Sequence, residues 1–234
     1  MGMESVALVI GSSGGIGLAL ANALDEEGHY ARVWRTARSG DADIQIDLTD
    51  EASIAAAATI IAKGPPLGLV VVTTGLLHDQ GHRPERSFRE LDAAWLAQNY
   101  LINTIGPALI AKHFLPLLPK DDRSIFAVLS ARVGSISGNV LGGWHSYRAS
   151  KAALNMLIKT FALELGRSHK RAICVALHPG TVDTPLSKPF QGNVVAGTLF
   201  TPERAALQLL DVIDNLKPGD SGKHFSWDGE EIAP

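Results

Sequence analysis

Tyr147 and Lys151 stand four residues apart in the run Ser-Tyr-Arg-Ala-Ser-Lys-Ala-Ala-Leu. That spacing puts both side chains on one face of any helix that carries them. A phenol ionises near pH 10 in water, so it moves protons at neutral pH only where its ionised form is supported. An ammonium one helical turn away gives that support, because an opposite charge favours the phenolate. Such a pair can deliver a proton to an oxygen that is gaining negative charge. Taken alone, a pair at this spacing more often marks a solvated helix face.

A second chemical feature lies at the start of the chain. Residues 5–10 are an apolar run of strand length, and Gly11-Ser12-Ser13-Gly14-Gly15-Ile16-Gly17 follows it. Leu18-Ala19-Leu20-Ala21-Asn22-Ala23-Leu24 then reads as a helix. Strand, glycine-rich turn and helix is the context that a dinucleotide fingerprint requires. Glycines let the backbone approach a pyrophosphate, and the free N–H groups of the helix face it. With Gly11, Gly15 and Gly17 as the three, the spacing is Gly-x-x-x-Gly-x-Gly rather than the usual Gly-x-Gly-x-x-Gly. An ordinary tight turn, using glycine for its backbone freedom, is the alternative.

The elements that must position these residues alternate along the chain. After a helix ending near Gly28, residues 29–34 predict a second strand, 43–46 a short third, and 51–63 an alanine-rich helix stopped by Gly64-Pro65-Pro66. Residues 67–73 are continuously apolar, as in a strand buried on both faces. Residues 91–118 predict one long helix, 124–129 a fifth strand, and 147–167 the helix bearing Tyr147 and Lys151. A strand at 171–177, a helix at 202–216 and a strand at 223–226 complete the series. The expected fold is α/β: one doubly wound Rossmann-type domain over residues 1–234. It has a parallel sheet of about seven strands, helices on both faces and right-handed crossovers. Residues 186–200 carry Pro189, Gly192 and Gly197 without periodicity, and predict a flap over a substrate.

Composition narrows the function classes. The 234 residues are 46% apolar and 19% charged, a globular balance that excludes a disordered chain. A net charge of -3 without a basic tract argues against nucleic acid or an acidic membrane as partner. No apolar stretch is long enough to span a bilayer, and no secretory leader is expected. The single Cys174 lies in the apolar run Ala-Ile-Cys-Val-Ala-Leu, which predicts a buried strand thiol and a cytoplasmic protein. The eight histidines show no ligand spacing, so no metal site is expected.

The glycine turn and the Tyr-x-x-x-Lys pair together, in this order and separation, resemble the short-chain dehydrogenases and reductases. The likeness spans residues 5–232. The stretch 135–151, with Asn139, Gly142-Gly143-Trp144 and Tyr-Arg-Ala-Ser-Lys, and the ending Phe225-Ser226-Trp227-Asp228-Gly229, are similar to the C-factor and sniffer-like carbonyl reductase branch. The resemblance implies a reductase of ketones or aldehydes, with a small-molecule carbonyl substrate and a nicotinamide cofactor. It also implies a homodimer or homotetramer that pairs through its long helices. A catalytically silent dinucleotide sensor of the same fold is the alternative, although such proteins usually lose the Tyr or the Lys.

Carried over residue by residue, the family pattern assigns cofactor contacts to Gly11, Ser13, Gly15, Ile16 and Gly17. Its position that reads the adenosine ribose falls at Ala37, in Trp34-Arg35-Thr36-Ala37-Arg38. A carboxylate there would bind a 2′-hydroxyl, whereas Arg38, with Arg35 adding to the patch, suits a 2′-phosphate; NADP(H) is therefore expected over NAD(H). Solvated turn arginines are the other reading. Asp47 and Leu48 fall beside the adenine, and Asp47 could equally cap the next helix. Where the family has Asn-Asn-Ala-Gly, this chain has Val72-Thr73-Thr74-Gly75; Gly75 keeps the close approach to the ribose. Pro179, Gly180, Val182 and Thr184 follow the sixth strand, where the family contacts the carboxamide and phosphates.

For catalysis the resemblance implies that Tyr147 donates the proton. Lys151, together with the positive charge of the oxidised nicotinamide, would lower its pKa; Lys151 would also hold the nicotinamide ribose, and Asn103 would link Lys151 to solvent through water. Pro107 leaves room there for a helix kink. The family serine is either Ser130, at the strand end, or Ser135, nearer the family spacing to Tyr147, with Ser130 slightly preferred. Trp144, His145 and Phe190 are candidates to line the substrate pocket.

Overall fold

A computed structural model describes residues 5–193, 195 and 197–234. The first half runs β1 (Val6–Ile10), α1 (Gly15–Glu27), β2 (Arg32–Ala37), β3 (Ile44–Gln45), α2 (Glu51–Ile61), β4 (Leu67–Val72), α3 (Ala93–Tyr100) and α4 (Gly106–Phe114). The second half runs β5 (Ser124–Leu129), α5 (His145–Leu165), β6 (Ala172–His178), β7 (Thr181–Val182), β8 (Leu199–Phe200), α6 (Pro202–Asn215) and β9 (His224–Ser226).

Seven strands form one parallel sheet in the order β3-β2-β1-β4-β5-β6-β9. Every residue of β1, β4 and β5 is buried, which is why their sequences are apolar throughout rather than alternating. One face carries α2, α4 and α5 through Ile54, Ile110, Phe114, Leu154 and Ile158. The other carries α1 and α6 through Leu20, Leu24, Leu209 and Ile213. Cys174 lies fully buried in the first of these layers, and burial pushes its thiol up to about 12. The chain winds outward from β1 to β3, then returns to place β4 on the other side of β1. A crevice at the carboxyl ends of β1 and β4 is the consequence of that switch.

Three elements differ from the sequence reading. The second strand is Arg32–Ala37, three residues later than expected, because Gly28 ends α1 in a left-handed turn (φ 64°) and pairing with Val6 starts only at Arg32. Its arginines are tolerated because their heads leave the sheet: Arg32 stacks on Trp34 and pairs with Asp43. The long helix is one rod whose α-helical start waits for the Asp92 cap, and whose middle, Leu101–Ile105, is a π-turn. The small parallel pair β7–β8 was not foreseen; two-residue strands leave no periodicity to read. Within the expected flap, Lys188–Asn193 forms a 3-10 turn, and Val194 and Ala196 lie outside the described residues. Among the described residues no helix is long and apolar enough to cross a membrane, and no cluster of three side chains could hold a metal ion.

Candidate active site

The glycine turn has the shape of a phosphate cradle. Gly11 and Gly15 adopt φ 89° and 53°, and a Cβ on Gly17 would collide with the carbonyl oxygen of Gly11, so helix and turn are in contact. The N-cap of α1 is Gly14, which offers no side chain to its free N–H groups. Ser13 is exposed at the turn, whereas Ser12 is buried and donates to the Thr36 carbonyl. Ile16 is half-buried and packs towards both the α6 layer and Val182. The Thr73 hydroxyl lies between two carbonyls of the turn, donating to that of Ile10 (2.8 Å) with Gly11 O at 3.1 Å. A bare cradle of backbone donors at a helix start fits a dinucleotide pyrophosphate.

At the end of β2, Ala37 is buried and Arg38 is exposed. Arg35 does not share the patch with Arg38 as expected. Its guanidinium is held on α1 by Asn22 (2.9 Å) and Asp25 (2.6 Å). Asp47 does not cap α2; Asp50 does, accepting the Ala52 N–H. The Asp47 carboxylate accepts the N–H and hydroxyl of Thr49, which hold it below the usual carboxylate range, with a smaller pull from Arg38. Leu48 is buried against Gly106, where a Cβ would stand 2.8 Å from that of Leu48.

Asn103 occupies the π-turn and is fully buried. Its Oδ1 accepts the Leu76 N–H (2.8 Å), and its Nδ2 donates to the Leu76 carbonyl (2.8 Å) and to Ser150 Oγ (3.0 Å). Ser150 Oγ in turn donates to the Tyr147 carbonyl (2.8 Å), so the π-turn is joined to α5 beside Tyr147. A Cβ on Gly75 would lie 3.7 Å from Asn103 Oδ1 and 3.8 Å from Lys151 Nζ. Gly75, Asn103 and Lys151 therefore surround one small space.

Tyr147 and Lys151 are both buried on α5. Lys151 Nζ donates to the Leu129 carbonyl (2.8 Å) and lies 5.9 Å from the centre of the Tyr147 ring. Burial is the leading influence on both groups. Burial pushes the Tyr147 phenol up to about 12 and the Lys151 ammonium down to about 7.

Each candidate serine has a hydrogen-bond partner of its own within the chain. Ser130 Oγ donates to Asn155 Oδ1 (2.7 Å), one turn beyond Lys151. Ser135 Oγ accepts the Gly138 N–H (3.0 Å) within its own loop. Neither forms a hydrogen bond with Tyr147. Ala131 is the residue of this segment that packs with Tyr147 and Leu77 in an apolar cluster, edged by Val133, Trp144, Leu186 and Phe190. The Trp144 ring meets Tyr147 edge-on (6.3 Å) and lies 5.2 Å from Phe190. His145 opens α5, its Nδ1 buried without a partner among the described residues.

Beyond Pro179, Gly180 is fixed at φ 77°, and a Cβ there would press on Phe200 and Trp227. Val182 is buried in β7, and the Thr184 methyl reaches 3.2 Å from where a Gly15 Cβ would stand. The loop after β6 therefore lies over the glycine turn. Sequence reasoning missed Leu77, His78, Ala131 and Asn155. His78 could have been suspected from its place just after the fourth strand; its Nε2 lies 3.2 Å from the carbonyls of both Pro185 and Leu186, tying that strand end to the flap.

Residues 5–194 match the family model described as short chain dehydrogenase. The chain is 33% identical to the 1-hydroxy-2-glutathionyl-2-methyl-3-butene dehydrogenase of Rhodococcus sp. (strain AD45), over 96% of this chain and 97% of that one. It is 34% identical to the C-signal protein of Myxococcus xanthus, over 61% of this chain and 81% of that one. Its fold is similar to an NADPH-bound carbonyl reductase from chicken fatty liver, with TM-score 0.83 and 29% identity over the full length of both. These likenesses agree with the branch resemblance drawn from the sequence.

Proposed function

The chain belongs to the short-chain dehydrogenase family, and from that premise we propose that it is an NADPH-dependent reductase of ketones or aldehydes with Tyr147 as its proton donor. The observation that carries the reading is the buried Tyr147–Lys151 pair, set against the apolar cluster of Leu77, Ala131 and Phe190. The turn at Gly11, Gly15 and Gly17 would hold the pyrophosphate of a nicotinamide cofactor, which when bound would supply the hydride for the carbonyl carbon. Tyr147, kept neutral by burial, hydrogen-bonds the carbonyl oxygen and gives up its proton as charge develops there. Lys151, with a pKa near 7, carries its charge for part of the time at neutral pH and stabilises the phenolate left behind. Lys151 then passes a proton back to the Tyr147 phenolate, and Asn103 Oδ1, which flanks the same space beside Gly75, would hold a water that reprotonates the lysine from solvent. Ser130 gives its hydroxyl proton to Asn155 Oδ1, while Ser135 accepts the Gly138 N–H and keeps its own proton free; we give Tyr147 the polarising role, which the family shares with a serine.

The preference for NADPH rests on Arg38, the exposed cation next to Ala37, and on the missing carboxylate. Exposed Met156 and Leu163 on α5 and Ile105 on the π-turn support pairing of two copies through their long helices. Following NADPH and NADH oxidation across a panel of ketones, aldehydes and quinones tests the reading. Binding of NADPH without turnover of any carbonyl would replace it with the sensor reading.

A further inference from the structure

Glu85 is a carboxylate only 3% exposed, on the segment between β4 and α3, and among the described residues it forms no ion pair. Its partners are all at the start of α5, sixty-one residues away in sequence. One carboxylate oxygen accepts the Ser146 N–H (3.2 Å), and the other accepts the Ser146 hydroxyl. Its backbone carbonyl accepts the Trp144 N–H (2.5 Å). The residue in the N-cap place of α5, Trp144, makes no side-chain capping bond of its own. Glu85 therefore caps the helix from outside, and the positive end of α5 compensates its charge.

The same three bonds hold an unusual backbone. Trp144 is the one non-glycine residue with positive φ (52°) among the described residues, and it follows Gly142 and Gly143, both at φ 66°. An L side chain in the left-handed region is strained and persists where its surroundings determine it. Here the strain turns the indole onto the Tyr147 ring and Phe190. The next turn of the helix then carries Tyr147 itself.

We propose that Glu85 is a positioning residue that clamps the Trp144–Ser146 entry to α5, setting both the Tyr147 hydroxyl and an aromatic wall that aligns flat, apolar carbonyl substrates. The substrate part rests on the carbonyl reductase reading above; the clamp does not. Removing the carboxylate frees the first turn of α5, lets Trp144 leave its left-handed conformation, and opens the wall. A ketone with an aromatic ring loses more by this than a small aliphatic one, which never reaches the indole.

The test compares Glu85→Ala, Glu85→Gln and, as a distant cap loss, Asp92→Ala, which removes the cap of α3. Hydrogen exchange of residues 143–150 and steady-state kinetics with an aryl ketone and a small aliphatic ketone are read in each. For Glu85→Ala the expected result is exchange faster by about tenfold or more in that stretch alone. Its aryl-over-aliphatic kcat/KM ratio falls roughly tenfold, with KM for NADPH within about twofold. Glu85→Gln keeps one acceptor and recovers part of both effects, and it keeps the test readable if the alanine variant does not fold. Asp92→Ala lowers the melting temperature without moving the ratio. Unchanged exchange at 143–150, or an aryl preference lost equally in Asp92→Ala, overturns the proposal. If the wild type reduces no carbonyl, the functional reading fails, and the exchange measurement still decides the clamp.

Discussion

Lys151 Nζ donates a 2.8 Å hydrogen bond to the carbonyl oxygen of Leu129, the last residue of β5. That bond ties the helix bearing Tyr147 to the end of β5, next to Ser130. It also leaves the ammonium out of water, with a neutral dipole as its only side-chain hydrogen-bond partner among the described residues. Lys151 is therefore ready to lose its proton near neutral pH, and Tyr147 is reluctant to lose its own.

Replacing Tyr147 by Phe removes the proton donor and keeps the ring in its cluster. Carbonyl reduction should fall by roughly 10²–10⁴ in kcat. NADPH affinity, measured by fluorescence titration, should stay within about threefold of wild type.

The pH dependence follows from Lys151. Reduction should hold its rate on the acid side and decline as pH rises through about 7, where the ammonium is lost. Lys151→Met should remove that limb from the kcat profile. Stability responds in the opposite sense. The folded pKa lies below the unfolded value of 10.5, so between pH 7 and 10.5 the unfolded chain binds more protons and stability rises with pH. Tyr147, raised from 10.0 to about 12, reverses that gain above pH 10.

Ser130→Ala and Ser135→Ala should each retain kcat within roughly tenfold of wild type, far above Tyr147→Phe. A loss in either variant as deep as that of Tyr147→Phe would restore the serine to the reaction and displace the reading of Tyr147 as the lone hydroxyl on the substrate.

Arg38→Ala should weaken NADPH binding by about 10–100-fold, the range of one charge-assisted hydrogen bond, and leave NADH nearly untouched. Ala37→Asp should move the preference towards NADH. Parallel KM measurements with both cofactors decide this, and a wild type that already favours NADH by several-fold would refute it.

His178 and His224 predict acid sensitivity. Burial holds them down to about 3 and about 4, and His178 Nδ1 and both nitrogens of His224 have no partner among the described residues. From pH 6.5 downward the unfolded chain takes up protons that the folded chain refuses, so stability falls through that window. Thermal melts should drop by several degrees between pH 7 and 4.5, with a shallower slope in His224→Gln.

Much of this was legible in the chain. The apolar runs of β1, β4 and β5 have no polar interruptions, so only burial on both faces explains them. Gly11, Gly15 and Gly17, and the four-residue step from Tyr147 to Lys151, follow from local spacing, which survives folding unchanged. The rest depended on partners far away in sequence. Arg35 looked free until Asn22 and Asp25 met it on α1. Ser130 and Ser135 could not be told apart from their distance to Tyr147, because what separates them is Asn155 and Gly138. Spacing also reports the charge of Lys151 near Tyr147 and says nothing of the burial that acts on both groups.

The π-turn at Leu101–Ile105 makes residue count itself a functional quantity. One residue fewer would leave a smoother, ordinary α-helix with regular backbone bonding. It would also rotate one half of the rod against the other by roughly 100°. Asn103 could then no longer grip Leu76 while Thr104 holds the Ser150 carbonyl. A shortened chain would also turn Ile110 and Phe114 out of the core, so the extra residue of the π-turn serves the grip on Leu76 and the packing of the rod together.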